Sequence, residues 1–304
     1  MAHINTPLLI IAFNRPDELR KVIGALSVHT FRKIYAFVDG PREGVDADPQ
    51  KIVECRDILS AISFADEVVT NFRDNNLGCG MGPFTAITEA FRMDEELIIL
   101  EDDCVPAAAF PEFCEELLIR YREDQRVCMI SGSNFSGNCF QSNASYTFSV
   151  YSHFGGWAGW KRSWEKVVFD PLNCLNILPR FAGSTFRTAN ERRFFSKVYQ
   201  ANFNKPEVNY WDYQASLAFA LEGGLSVIPG KNLVSNIGST GTHYRGGEKY
   251  FDLPVPEIFK IESHPVSVKA DRVYDSCHFR NHLVPLHRRP LIKKIQNRLR
   301  KMFP

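Results

Sequence analysis

The sequence predicts an α/β fold, a mainly parallel sheet flanked by helices. Three observations predict it. Strand-like and helix-like patterns alternate through the first 131 residues. The strand patterns are apolar runs such as Leu97-Ile-Ile-Leu100, without the polar alternation of a half-exposed strand, as expected where both faces are buried. Polar punctuation then falls at the carboxyl ends of these runs, most densely at Glu101-Asp102-Asp103, where open α/β sheets place their ligands.

Taken in order, Pro7 to Phe13 is the first strand, and Asn14-Arg15-Pro16 ends it with a proline suited to a first helical turn. Asp17 to Ser27 puts Leu19, Val22, Ile23 and Leu26 on one helical face. Lys33 to Val38 is a strand closed by Asp39-Gly40-Pro41, and Pro49 to Ile62 is the next helix. Asp66 to Phe72 is the third strand, and the glycine-rich stretch Asn76 to Gly82 opens a third helix. The acid-ended strand, a helix over Pro111 to Tyr121 and a strand over Arg126 to Ser131 complete the first half.

Beyond Gly132 the pattern changes. Ser145 to Tyr151 alternates like a strand, and Phe154-Gly-Gly-Trp-Ala-Gly-Trp160 reads as a turn leading into a helix near Ser163. Asn190 to Phe203 and Trp211 to Leu221 are helical by spacing, and Leu225 to Ile237 reads as strand, turn, strand. Residues 245–290 show no assignable pattern. The chain thus divides into an amino-terminal half, 1–131, a carboxyl-terminal half of the same domain, 132–287, and a basic tail, 288–304.

The net charge of +1 over 304 residues excludes a global field for nucleic acid. Seven Lys or Arg and no acid lie in 288–301, leaving −6 (+1 minus +7) on the remainder. In the tail, Leu291, Ile292, Ile295, Leu299 and Met302 share one helical face among the cations. That makes 288–303 a candidate for peripheral contact with an anionic membrane surface, or simply a solvated terminal helix. No apolar run approaches the roughly 18 residues of a membrane span, and Leu8 to Phe13 is too short for a signal-peptide core, so a cytoplasmic location is expected. The eight cysteines lack Cys-x-x-Cys spacing and are expected to be reduced and mostly buried.

Three adjacent carboxylates repel one another, and a hard divalent cation, Mn²⁺ or Mg²⁺, shared with a diphosphate relieves that repulsion. The plainer alternative is a solvated acidic loop. No Gly-x-Gly-x-x-Gly follows the first strand and no Walker pattern occurs, which argues against dinucleotide and P-loop chemistry. Asn76 to Gly82 either cradles an anion at a helix start or supplies turn glycines. Asp212 is either a catalytic base or a helix cap. Trp160 and Trp164 read as core, whereas Trp157, between glycines in a turn, is the candidate sugar contact. His243, in a glycine-rich loop, is either a further metal ligand or a surface residue.

Pro7 to Arg15, Val38-Asp39-Gly40, Leu100-Glu-Asp-Asp103, Gly155-Gly-Trp-Ala-Gly-Trp160 and Trp211-Asp212 occur in this order. Together they resemble the GT-A (Rossmann-like) glycosyltransferases, bacterial family 2-like enzymes and N-acetylglucosaminyltransferase I among them. The resemblance spans residues 5–245. It implies a metal-dependent transfer of a sugar from a nucleotide-sugar donor, a UDP-sugar, to an acceptor hydroxyl of a glycan, lipid-linked or protein acceptor. The donor would bind the amino-terminal half and the acceptor the carboxyl-terminal half. Position by position, it implies that Asp103 ligates the metal and that Asp102 and Glu101 contact the ribose and donor sugar. It further implies that Asp39 receives the base's ring N–H, Arg15 contacts the donor phosphates, and Asp212 is the base of an inverting transfer. Tyr213 stands where the eukaryotic relative has a second Asp, which leaves acceptor identity open. The rival readings are a sugar-phosphate nucleotidyltransferase, a retaining glycosyltransferase and a non-catalytic glycan-binding protein.

Overall fold

A computed structural model of the chain describes residues 2–178, 185–186, 188–204, 210–238 and 252–287. His243 and the tail from 288 onward lie outside the described residues. The architecture is mixed α/β, with a central sheet flanked by helices.

The strands β1 (His3–Ile4), β2 (Leu8–Ala12), β3 (Thr30–Val38), β4 (Ala65–Phe72) and β5 (Glu96–Glu101) pair in parallel, β1, β2 and β4 all on β3 and β5 on β2. The helices α1 (Pro16–Leu26), α2 (Asp48–Ser60), α3 (Gly78–Met93) and α4 (Phe110–Tyr121) alternate with them. The apolar runs do what their composition dictates. Leu8, Ile10, Ile98 and Leu100 enter one core cluster, whereas Leu9, Ile11, Leu97 and Ile99 enter a second on the opposite face of the sheet. α1 turns Leu19, Val22 and Leu26 inward, as its spacing predicts.

The second half departs from the repeated unit. β6 (Cys104–Pro106) follows directly on the acidic triplet and pairs antiparallel with β11 (Val234–Asn236). β7 (Val127–Ser131) does not pair with β5. Between them lies β9 (Trp157–Trp160), antiparallel to both. This corrects the reading of Trp157 to Trp160 as a turn. The segment is buried at every position, and glycine weakens a strand pattern in sequence even where backbone approach favours it in space. Gly156, immediately before β9, takes φ +74°, and a Cβ there would meet Val234 at 2.7 Å and Leu100 at 3.1 Å. β10 (Leu225–Pro229) then pairs parallel with β7 and antiparallel with β8 (Tyr146–Ser149).

α5 (Lys161–Trp164), α6 (Pro171–Ile177), α7 (Ala189–Phe203) and α8 (Trp211–Leu221) pack in this half. α7 starts with a capping box, Thr188 and Glu191 exchanging hydrogen bonds. The segment that gave no sequence pattern ends in α9 (Arg272–His278), capped by the Asp271 side chain and continued by a wider π turn over Phe279–Leu283 into α10 (Val284–His287). A disulfide, Cys139–Cys277, ties α9 to the one-turn helix Gly137–Cys139. The expectation of reduced cysteines is corrected for this pair. Cys55, Cys104, Cys114, Cys128 and Cys174 are free and buried, and Cys79 is free and exposed. Among the described residues no helix is long and apolar enough to cross a membrane.

Candidate functional site at the strand ends

The carboxyl ends of β2, β3 and β5 bring the amino-terminal candidates together. After β2 the chain passes through Phe13 and Asn14 to Arg15, which stands at the head of α1. Its guanidinium reaches across to the end of β5, where Nη1 donates to Asp103 Oδ2 at 2.5 Å and Nη2 donates to Asp102 Oδ1. Asp102 also accepts the Phe13 N–H on Oδ2 at 3.0 Å, and Asn236 Nδ2 donates to Asp103 Oδ1 at 3.3 Å. The backbone at Gly238 lies over this ion pair; a Cβ there would sit 2.0 Å from Asp103 Oδ2 and 2.9 Å from Arg15 Nη1. Only an unsubstituted backbone fits so close to the pair.

Electrostatics follow from this enclosure. Burial pushes Glu101 above the ordinary carboxylate range, and repulsion from Asp103, Asp102 and Asp212 adds to the rise while Arg15 opposes it. Burial likewise raises Asp102, with Arg15 pulling it back. Burial works against the Arg15 charge, but Asp102 and Asp103 outweigh it and hold the guanidinium firmly protonated. Arg15 thus acts as a cation standing between two aspartates.

Asp39 follows directly on β3, and its carboxylate is engaged by the glycine-rich loop. Its Oδ1 accepts from the Gly40 and Leu77 N–H groups, and its Oδ2 from the Leu77 and Gly78 N–H groups, all at 3.0 Å. Asn76 Nδ2 adds a donor at 3.1 Å. The glycine-rich loop therefore does cradle an anion at a helix start, but the anion is the chain's own Asp39, capping α3 from outside. A base N–H at Asp39 would have to replace one of these bonds.

Asp212 occupies the first turn of α8, where a carboxylate suits the helix dipole, and its Oδ1 accepts the N–H of Tyr213 at 3.0 Å. Burial nevertheless raises it to about 6. Its charge adds a small part to the rise of Glu101 and of Cys79 on the first turn of α3, where burial dominates. Beside it opens a cavity of about 130 Å³ whose walls include Tyr151, Phe154, Phe195, Tyr199 and Tyr213, with Asp212 on its border. Nothing in the linear sequence indicated this cavity, because its aromatic walls come from a loop, two helices and a strand end.

Trp157 does not face that cavity. It is 2% exposed and enclosed by Phe154, Trp164 and Trp211 at ring separations of 5.4–6.1 Å. The expectation of a sugar contact at Trp157 is corrected: as part of a central strand, its ring goes into the core with Trp164. Sequence reasoning also missed a group of buried histidines. His153, His278 and His282 pack with ring separations of 4.8–6.3 Å, and Ser136 shares a 2.8 Å hydrogen bond with His278 Nδ1. The spacing of four between His278 and His282 was the one visible signal for it.

Among the described residues no three His, Cys, Asp or Glu side chains converge as a ready metal cage. Mn²⁺ and Mg²⁺ rarely need one, since one or two carboxylates plus substrate phosphates and water complete their shells. The donor chemistry fits that pattern. Asp102 and Asp103 already hold a positive group between them, and the Glu101 carboxylate has no hydrogen-bond or ion-pair partner among the described residues. His243 lies outside the described residues, so its ligand role stays an expectation.

No family profile and no curated sequence matches the chain. Among solved structures it is similar to S. aureus TarS, at 10% identity and TM-score 0.37, over 54% of this chain and 30% of that one. It is also similar to a cytidylyltransferase from Leptospira borgpetersenii serovar Hardjo-bovis, at 12% identity and TM-score 0.33, over 68% and 75% of the two chains. The chain spans under a third of TarS, and likeness at these scores carries no weight for function.

Proposed function

We propose that this chain is a GT-A-type glycosyltransferase that moves a sugar from a nucleotide diphosphate, a UDP-sugar, to an acceptor hydroxyl with inversion. The observation that carries the reading is the Arg15 guanidinium held between Asp102 and Asp103 at the strand end, together with Asp212 on the border of an aromatic cavity. A sugar-phosphate nucleotidyltransferase would use the same strand-end acids but leave Asp212 and its cavity without a task.

The donor's diphosphate lies against Arg15, whose planar fork suits two phosphate oxygens. Glu101 faces the transferred sugar. Asp102 braces Arg15 in the free protein and holds the Phe13 loop throughout, and Asp39 reads the base N–H when one loop bond opens. Asp103, with Glu101 beside it, would hold the divalent cation, which when bound neutralises charge on the departing diphosphate. The acceptor enters the aromatic cavity with one hydroxyl directed at Asp212. As that oxygen attacks the anomeric carbon, Asp212 takes its proton. The bond to the diphosphate oxygen breaks, and the electron pair leaves with the diphosphate toward Arg15. A base raised to about 6 is still largely ionised at neutral pH and holds a proton more firmly than an ordinary aspartate. The acceptor is a glycan, a lipid-linked glycan or a glycoprotein.

The test is diphosphate release from a panel of nucleotide sugars with Mn²⁺, using native chain and Asp212→Asn. The reading expects release with at least one UDP-sugar and its loss in the variant. Full turnover in Asp212→Asn removes the base assignment, and failure of every nucleotide sugar to bind removes the enzyme.

A further inference from the structure

We infer that Arg15 is an exchangeable counter-ion: in the free protein it holds the place of the divalent cation, and it passes to the diphosphate when cation and diphosphate arrive together. The inference rests on the donor-site reading above and adds an order to it.

The argument begins with the oxygens. Asp103 Oδ2 is engaged by Arg15 Nη1 at 2.5 Å, Asp103 Oδ1 is within reach of Asn236 Nδ2 at 3.3 Å, and the Gly238 backbone closes over the pair. Asp103 as a whole is 6% exposed. A cation such as Mg²⁺ needs a carboxylate oxygen at about 2.0–2.1 Å. At that distance a double positive charge cannot share Asp103 Oδ2 with a guanidinium, because like charges repel and the oxygen's accessible side is taken. Cation entry therefore requires Arg15 to leave Asp103. Arg15 has a way out, since its side chain is 25% exposed at the head of α1. Asp102 is held in place separately by the Phe13 N–H.

Each partner alone is then a poor ligand. A cation without diphosphate sets Arg15 free with no anion to receive it. A diphosphate without cation must draw Arg15 away from two carboxylates and leave them buried and unpaired, which is strongly unfavourable. Cation and diphosphate together satisfy both requirements, the cation taking Asp103 and the phosphate oxygens taking the Arg15 fork. The site thus selects a metal–diphosphate chelate over either component.

The exchange is tested with Mn²⁺ alone, without nucleotide, by electron paramagnetic resonance of free Mn²⁺ against the full-length chain. Native protein binds Mn²⁺ weakly. Arg15→Met removes the competitor and tightens Mn²⁺ binding by about tenfold or more, the scale of one charged hydrogen-bonded pair. Arg15→Lys, which reaches only one carboxylate and keeps the charge, gives a smaller gain. Adding Asp103→Asn to Arg15→Met abolishes the gain. With inorganic diphosphate and Mn²⁺ present together, Arg15→Met binds diphosphate more weakly than native protein. Equal or absent Mn²⁺ binding in native, Met and Lys forms overturns the inference, as does a gain that survives Asp103→Asn. If Arg15→Met fails to fold, Arg15→Lys alone decides. No sugar is transferred in this titration, so a chain that turned over no nucleotide sugar would fail the proposed function and could still pass here.

Discussion

Among the described residues, two of the buried groups of titratable side chains resolve their burial in opposite ways. At the strand ends, Asp102 and Asp103 stay paired with a guanidinium, while Glu101 and Asp212 are raised by burial, Glu101 also by its carboxylate neighbours. Beneath α9, His153 and His278 have no carboxylate among the causes of their shifts. Burial, with their histidine neighbours, holds His153 at about 3 and His278 well below the usual range, so both are neutral at physiological pH. One group keeps an ion pair, with Asp102 and Asp103 on Arg15; the other gives up its charge and packs as a cluster of rings. The difference teaches that burial is tolerated either by pairing a charge or by giving it up.

The largest effect expected from breaking this contrast is at Asp212. Asp212→Asn lowers transfer by about 10²–10⁴-fold, as removal of a general base does, measured as initial rate of diphosphate release. The same change stabilises the free protein. Between the ordinary 3.8 and about 6, folded Asp212 keeps a proton that the unfolded chain has released, so native stability falls as pH rises through that window. The amide removes this loss, and its melting temperature at pH 7.5 should exceed native by about 2–4 °C. A variant that is both inactive and less stable would place Asp212 among structural caps.

On the histidine side, the disulfide is the larger lever. Cys139–Cys277 closes a sequence separation of 138 residues, and reducing it or replacing both cysteines by serine should cost about 2–4 kcal/mol in a urea melt. An unchanged midpoint would mean that the bridge does not hold α9 in place. The smallest effect separates the two groups by pH alone. From about 6.5 downward the unfolded chain takes up protons that folded His153 refuses, so stability falls with acidification until about 3. His153→Phe should change stability at pH 7.5 by less than about 1 kcal/mol while reducing the loss between pH 7 and 5. A variant with the native acid profile would show that other groups set it.

What the sequence made legible follows the regularity of each region. The first half repeats one supersecondary unit, so apolar runs, helix faces and the polar ends of strands sit where the patterns predict, and Arg15, Asp39 and Glu101 to Asp103 come to one edge. Trp211-Asp212 was legible as a helix start, and the helix does begin at Trp211. Trp157 was misplaced because its flanking glycines obscure a strand that is defined by its two neighbours, β5 and β7, rather than by local alternation. The engagement of Asp39 with the Leu77 and Gly78 N–H groups was illegible because both partners had plausible ligands of their own. The Cys139–Cys277 pair and the His153 contact with α9 join residues more than a hundred positions apart, and no spacing encodes such contacts.

Calorimetric titration of UDP into native chain and Asp103→Ala, with and without Mn²⁺, bears most directly on the strand-end site. The account predicts saturable binding that requires Mn²⁺ and weakens at least about tenfold in Asp103→Ala. Equal binding by the two proteins, or no binding by the native chain in the presence of Mn²⁺, would contradict it.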